Sequence, residues 1–69
     1  MSASEYIFMV RSAQSILNRS NTDKVETHRQ AERIAEFVRD NWGEFTSTFG
    51  TADVCELAEL VTREMVSQM

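Results

Sequence analysis

The residues that could carry out catalysis or bind a metal ion are few in this chain. It contains one histidine, His28, and one cysteine, Cys55. A thiol beside a histidine is a known nucleophile pair, but these two fall on different predicted helices, where a surface histidine and a small half-buried thiol are the commoner interpretation. The sequence has no glycine-rich phosphate loop, no H-E-x-x-H motif and no zinc-type spacing. We therefore expect a protein that is not an enzyme and uses no metal or cofactor.

A row of four acids follows one side of the middle segment. Its members are spaced four residues apart: Glu32, Glu36, Asp40 and Glu44. Like charges at this spacing on a helix cost roughly a few tenths of a kcal/mol per pair, so a functional reason such as imitation of DNA phosphates is worth considering. However, Arg29, Arg33 and Arg39 interrupt the same region, as on an ordinary solvated helix. An acidic DNA-mimic inhibitor is therefore an alternative, not the preferred function.

The first segment combines a spare aromatic residue with positive charge. Phe8 lies almost opposite the apolar stripe of its predicted helix, on the same side as Arg11 and Arg19. Aromatic and arginine side chains are enriched at the energetic centres of protein interfaces, and burial of a Phe side chain contributes roughly 1.5–3 kcal/mol. Phe37 is a second candidate, since it falls about 60° outside the stripe of its own helix. The predicted partner-binding residues are Phe8, Arg11, Ser15, Arg19 and Phe37.

Three apolar stripes at helical spacing predict three helices. The first begins after Ser4 as N-cap and ends near residues 18–21. The middle helix is long, residues 23–45, and its predicted N-cap is Asp23 or, as an alternative, Thr22. Residues 46–50 are predicted to form a loop, after which Thr51 caps the third helix. The stripes supply the predicted core and dimer interface, which includes Ile34, Val38, Trp42, Phe45, Leu57 and Val61.

Length and composition favour a helical fold that dimerises. The chain has 69 residues, no proline and two glycines, which suits a few uninterrupted helices. A domain of this size buries a modest share of its surface, and a single cysteine forms no internal disulfide. A second subunit is then the expected source of further buried area. We predict one all-α domain, residues 1–69, with three helices and a long central helix, completed by homodimerisation.

Charge and hydropathy limit the kinds of binding partner and the cellular location that we expect. The net charge is −4, made up of +1 in residues 1–20, −2 in 21–45 and −3 in 46–69. An acidic protein gains little from neutralising phosphates, so direct nucleic-acid binding is disfavoured. A small dimeric DNA-binding or transcription-regulatory protein stays an alternative, although the third helix carries mainly acids. We see no secretory signal and no apolar run of about 20 residues, and expect a cytoplasmic protein without membrane insertion.

In general character the chain resembles the small accessory proteins of bacteriophages. The resemblance covers the chain as length and composition: short, acidic, helical, cysteine-poor and rich in spare phenylalanine. In size it is similar to the anti-quorum-sensing and anti-pilus type, which blocks a host transcription regulator and a pilus ATPase, and more loosely to small anti-CRISPR proteins. The resemblance implies a non-enzymatic protein that binds and inhibits one or more host proteins.

Overall fold

The computed structural model describes residues 2–19 and 23–68. These residues form four helices: α1 (Ala3–Leu17), α2 (Lys24–Asp40), α3 (Trp42–Phe49) and α4 (Val54–Ser67). The described ranges contain no strand, so the predicted all-α fold class is confirmed. The predicted number of three helices is wrong, because the middle helix divides in two.

The first helix starts two residues earlier than predicted. Ser2, not Ser4, is the N-cap: the Glu5 backbone N–H donates to Ser2 Oγ at 3.2 Å, and the Ser2 backbone N–H donates to Glu5 Oε1 at 3.1 Å. This reciprocal arrangement is a capping box, which needs a Glu or Gln three residues after the cap, and Ser4 has none at that position. The helix ends at Leu17, with Asn18 as C-cap. Residues 20–21 of the predicted end lie outside the described residues.

The helix predicted over residues 23–45 is interrupted at Asn41. This residue leaves the helical conformation, with φ −122° and ψ 32°, and its side-chain Nδ2 donates to the Phe37 carbonyl at 3.0 Å. Such a side-chain bond to the backbone competes with continuation of the helix. The break moves Trp42 and Phe45 onto α3, where both are half-buried against the core. The sequence predicted that they continue the apolar stripe of α2, and this prediction is wrong.

Aspartate side chains cap the N-termini of α2 and α4. The Asp23 side chain accepts the Glu26 N–H at 3.2 Å, so the first of the two predicted caps of α2 is present, while the alternative, Thr22, lies outside the described residues. In α4 the cap is Asp53, whose side chain accepts the Glu56 N–H at 3.0 Å. The prediction of Thr51 as this cap is wrong. Thr51 Oγ1 instead accepts the Asp53 N–H at 3.3 Å and donates to Glu56 Oε2 at 3.1 Å.

The predicted loop over residues 46–50 is wrong, since most of it is helical. Residues 46–49 form the second half of α3, and only Gly50 lies outside it, as a left-handed C-cap with φ 70°. Phe45 and Phe49 are one turn apart, and their rings stack with centroids 6.1 Å apart against the core. Burial of this aromatic pair outweighs the weak helix propensity of the Thr/Ser run between them.

The core lies between α1 and the pair α2 and α4. α1 contacts both of these helices extensively, whereas α2 and α4 contact each other much less, and α3 closes one end. Two buried threonines also lie inside, and each hydroxyl is satisfied by a carbonyl four residues earlier: Thr27 by Asp23 at 2.7 Å and Thr62 by Ala58 at 2.6 Å. The buried apolar side chains are Met9, Val10, Ala13, Leu17, Ala31, Ile34, Ala35, Val38, Leu57, Ala58 and Val61.

One chain is enough to enclose this core. Its radius of gyration is 11.1 Å, and about 11 Å is expected for a compact domain of this length. Its accessible surface is 4520 Å², close to the roughly 4400 Å² expected for a folded monomer of its mass. The predicted homodimer is therefore not needed to bury the core residues, and it stays a prediction. None of the described helices combines the length and the apolar character required to span a bilayer.

Candidate protein-binding surfaces

Five large apolar side chains of the described residues stay about half exposed or more. Their exposed fractions range from 46% to 65%, and they are Ile7, Phe8, Val25, Phe37 and Met65. Ile7 and Phe8 are neighbours on α1, whereas Phe37 and Met65 border a groove between α2 and α4. Four of the five therefore collect in two places, and Val25 belongs to neither. Sequence reasoning found the two phenylalanines but missed Ile7 and Met65.

The first place is the outer side of α1, here called the α1 surface: Ile7, Phe8, Arg11 and Ser15. Ile7 is 48% exposed and Phe8 47%, and the other two residues are exposed as well. Arg11 lies one helical turn after Ile7 and Phe8, so its charge is next to both apolar side chains. The only acid of α1 is Glu5, which is occupied in the capping box. The α1 surface is thus apolar and positive on a chain of net negative charge.

Arg19 is separated from the other predicted residues of this surface. It follows the end of α1, in a turn where its backbone N–H donates to the Ile16 carbonyl at 3.2 Å. It lies roughly 16 Å further along the helix direction than Phe8. Arg19 therefore extends the positive end of the surface, but it does not flank Phe8.

A cleft of about 310 Å³ adjoins the α1 surface on the side of α2. Its lining residues are Tyr6, Ile7, Val10, Arg11, Gln14, His28 and Glu32. His28 Nε2 and Glu32 Oε1 are 3.1 Å apart at its α2 edge, with both side chains about half exposed. Ile7 and Arg11 thus belong to both features, and a partner seated on the α1 surface also reaches this cleft.

Two members of the acidic row, Glu32 and Glu36, also act on a residue of α1. Burial, followed by the negative charges of Glu36 and Glu32, raises the pKa of the Tyr6 hydroxyl, while the positive charge of Arg39 opposes the shift. The Arg39 guanidinium lies 5.5 Å from the centre of the Tyr6 ring, an attractive cation–π arrangement. The row is also discontinuous, because Glu44 lies on α3 beyond the break at Asn41. Its four acids therefore do not form one straight line of charge.

The second place is the α2–α4 groove, about 390 Å³ in volume. Its lining residues are Leu17, Gln30, Arg33, Ile34, Phe37, Met65 and Val66. Leu17 and Ile34 are only 3% and 4% exposed and form its floor, while Phe37 and Met65 are 51% and 46% exposed at its edges. The groove exists because α2 and α4 make few contacts with each other, which leaves a recess between them over the end of α1 at Leu17.

Phe37 also connects the groove to α3. Its ring meets the Phe45 ring edge to face, with centroids 5.2 Å apart, and Phe45 stacks on Phe49. Such aromatic pairs are favourable beyond the area that they bury. A row of three aromatic rings therefore runs from the groove along the core-facing side of α3.

The two surfaces face different sides of the molecule. Phe8 lies about 180° around α1 from the groove residue Leu17, at about 100° per residue. The structure therefore does not bring Phe8 and Phe37 together, although both are in the predicted partner-binding set. The predicted core set is also divided: Ile34, Val38, Leu57 and Val61 are buried, whereas Trp42 and Phe45 are half-buried.

The candidate catalytic pair is not assembled. Gln30, in the first half of α2, shares the groove with Val66 at the end of α4. Cys55 lies at the beginning of α4, roughly 16 Å from Val66 along the helix axis. His28 is therefore at the opposite end of the bundle from Cys55. The described residues also contain no group of three or more histidine, cysteine, aspartate or glutamate side chains suited to a metal ion.

Comparison with known proteins gives no further assignment. No family model matches the sequence, and no curated protein and no solved structure is significantly similar to it. The two apolar surfaces are thus the features on which a functional proposal can be based.

Proposed function

We propose that this chain is a non-enzymatic protein that binds another protein through the α1 surface. The observation that supports this most is the pair of half-exposed neighbours, Ile7 and Phe8, next to the exposed cation of Arg11. Exposed apolar side chains with arginine at their edge have the composition of an interface centre. A folded domain otherwise gains by burying such residues, since each contributes roughly 1.5–3 kcal/mol when removed from water.

The chemistry of the α1 surface also describes the partner. Its apolar centre requires an apolar patch opposite, and Arg11 together with the more distant Arg19 favours acidic side chains at the partner's edge. The cleft beside the α1 surface offers room for one protruding side chain of the partner next to Ile7. We therefore propose a partner surface that is apolar at its centre and acidic around it.

The proposed consequence of binding is inhibition of the partner in the cytoplasm. A chain of 69 residues that covers a surface on another protein blocks what that surface normally does. The resemblance in size and composition to phage-encoded inhibitors makes a host transcription regulator or a pilus ATPase the proposed class of target. We also propose that the chain works as a homodimer.

The α1 surface is tested by capture of the partner on immobilised protein. We expect wild type to retain one specific protein from host lysate, and Phe8→Asp to lower its affinity at least about tenfold, as for a hot-spot residue. Val25→Asp is the matched control, because Val25 is 65% exposed and belongs to neither surface. Circular dichroism of each variant shows whether the helices are intact.

Two results would contradict the proposal. One is equal capture by wild type and Phe8→Asp, which would show that the α1 surface is not used. The other is nanomolar, salt-dependent DNA binding by the purified chain, which would favour the alternative of a dimeric DNA-binding protein. Loss of capture on changing Glu32, Glu36 and Asp40 to Gln, with Phe8→Asp unaffected, would instead indicate the acidic mimic.

A further inference from the structure

We propose that the α2–α4 groove binds a small amphipathic carboxylate, a molecule with one alkyl chain and one anionic end. The alkyl chain lies on the apolar floor of the groove, and the Arg33 guanidinium binds the carboxylate. This ligand site is separate from the proposed protein-binding function, because neither Phe8 nor Arg11 lines the groove.

The groove has the size and the lining of a small-molecule site. Its volume of about 390 Å³ is within the range of roughly 300–1,000 Å³ that is usual for ligand pockets. Leu17 and Ile34 form a nearly buried floor, while Phe37 on α2 and Met65 on α4 are half-exposed at its edges. An alkyl chain between these side chains contacts apolar atoms on the floor and on both walls, and the removal of its surface from water favours binding.

The polar side chains of the groove lie together in one half of it. The α2 wall runs from Gln30 to Phe37, roughly 10 Å along the helix axis. Gln30 and Arg33 are one helical turn apart in the first half of this wall, whereas Phe37 is at its far end. A ligand with one polar end and one apolar chain fits this order, with the polar end at Gln30 and Arg33 and the chain along Ile34 towards Phe37.

Arg33 decides the charge that the polar end of the ligand must carry. It is exposed, makes no ion pair with a described residue and is the only charged residue among the described ones that line the groove. A guanidinium donates two parallel hydrogen bonds to a carboxylate, and the side-chain amide of Gln30 supplies a further donor at the same end. The acids of α4 do not line the groove: Glu56, Glu59 and Glu64. The groove therefore attracts an anionic end and repels a cationic one.

The test is calorimetric titration of the purified chain with octanoate, and with octanol and octylammonium as neutral and cationic ligands of equal chain length. We expect octanoate to bind at least about fivefold more tightly than the other two, because Arg33 forms a charge-assisted hydrogen bond with it alone. Affinity should also rise from hexanoate to octanoate, by roughly two- to fourfold for each added methylene. Equal affinity for octanoate and octanol, or no binding of octanoate at millimolar concentration, would overturn the proposal.

Charge reversal tests the part played by the guanidinium. Arg33→Glu should weaken octanoate binding at least about fivefold and strengthen octylammonium binding, because the charge at the polar end changes sign. Arg29→Glu is the matched control: Arg29 is exposed on the same helix, does not line the groove and gives the same change in net charge. Equal losses of octanoate affinity in the two variants would show a general attraction to the chain and overturn the site. Circular dichroism of both variants shows whether the helices are intact.

The position of the ligand is tested by nuclear magnetic resonance of protein with isotope-labelled methionine methyl groups. Met65 lines the groove and Met9 is fully buried in the core, so octanoate should shift the Met65 signal much more than the Met9 signal. Phe8→Asp should leave octanoate binding unchanged, since Phe8 is not in the groove. An unchanged Met65 signal, or an octanoate affinity that falls in Arg11→Glu and not in Arg33→Glu, would overturn the groove as the site.

Discussion

Tyr6 shows how the acids of α2 influence a neighbouring helix. Burial and the negative charges of Glu36 and Glu32 raise the pKa of its hydroxyl, against the opposing charge of Arg39. The raised pKa thus has a cause within the fold, and the acidic row has an intramolecular effect whether or not it meets a partner. Tyr6 is the only tyrosine of the chain, so this effect can be observed directly.

We expect the pKa of Tyr6 in the native protein to lie above its ordinary value of about 10, and to fall toward that value in Glu36→Gln. The measurement is the ultraviolet absorbance of tyrosinate during an alkaline titration. The denatured chain serves as reference. A native pKa at or below that of the denatured chain would contradict the assigned causes.

The same shift predicts how stability depends on pH. Below about pH 10 Tyr6 is protonated in both states, and its contribution is fully present. Above this pH the unfolded chain loses the proton first, so the free energy of unfolding should fall until the native pKa is passed. Denaturant unfolding of wild type and Tyr6→Phe should therefore diverge above about pH 10. Parallel curves would show that Tyr6 does not contribute.

α3 is the element that sequence periodicity predicted least well. Residues 42–49 are held by the contacts of Trp42, Phe45 and Phe49 with the core and end at Gly50. Gly50 has φ 70° and Gly43 is helical, and a Cβ atom at either position would meet nothing within 4 Å. Substitution at these two glycines therefore probes backbone conformation alone.

We expect Gly50→Ala to destabilise the protein by roughly 1–2 kcal/mol, because a side chain disfavours the left-handed conformation. Gly43→Ala is the matched control and should be neutral or stabilising by up to about 1 kcal/mol, since alanine favours the helix. Thermal or urea unfolding measures both changes. Equal effects of the two substitutions would contradict the conformation at Gly50.

The fold as a unit depends on a small core at the crossing of α1 with α2 and α4. Met9 is the largest of its fully buried side chains, and its neighbours in the core come from all three helices. A chain of this length has a total stability of roughly 3–10 kcal/mol. One cavity at this place therefore removes a large fraction of it.

We expect Met9→Ala to lower the free energy of unfolding by about 2–5 kcal/mol through the lost contacts and the cavity. Val25→Ala, at a position 65% exposed, should change it by less than about 0.5 kcal/mol. Urea unfolding followed by circular dichroism measures both variants. A change at Met9 as small as that at Val25 would show that the core is not organised around α1.

Much of the local structure was predictable because it depends on nearby residues. Apolar stripes at helical spacing identified α1, α2 and α4, and Asp23 was recognisable as a cap because its bond reaches only three residues ahead. Ser2 and Glu5 also have the spacing of a capping box in the sequence, although the predicted cap was Ser4. The exposure of Phe8 followed from its angle on α1 in the same way.

The break at Asn41, by contrast, could not be read from periodicity. The apolar spacing of residues 23–45 is continuous, and the chain turns at Asn41 because Trp42, Phe45 and Phe49 gain burial on the bundle when α3 changes direction. The separation of Phe8 and Phe37 onto different sides likewise depends on how α1 crosses α2. Periodicity specifies the inward side of a helix but not the distance between two helices. The groove exists only because α2 and α4 stand apart, and that spacing is set by the packing of both helices on α1.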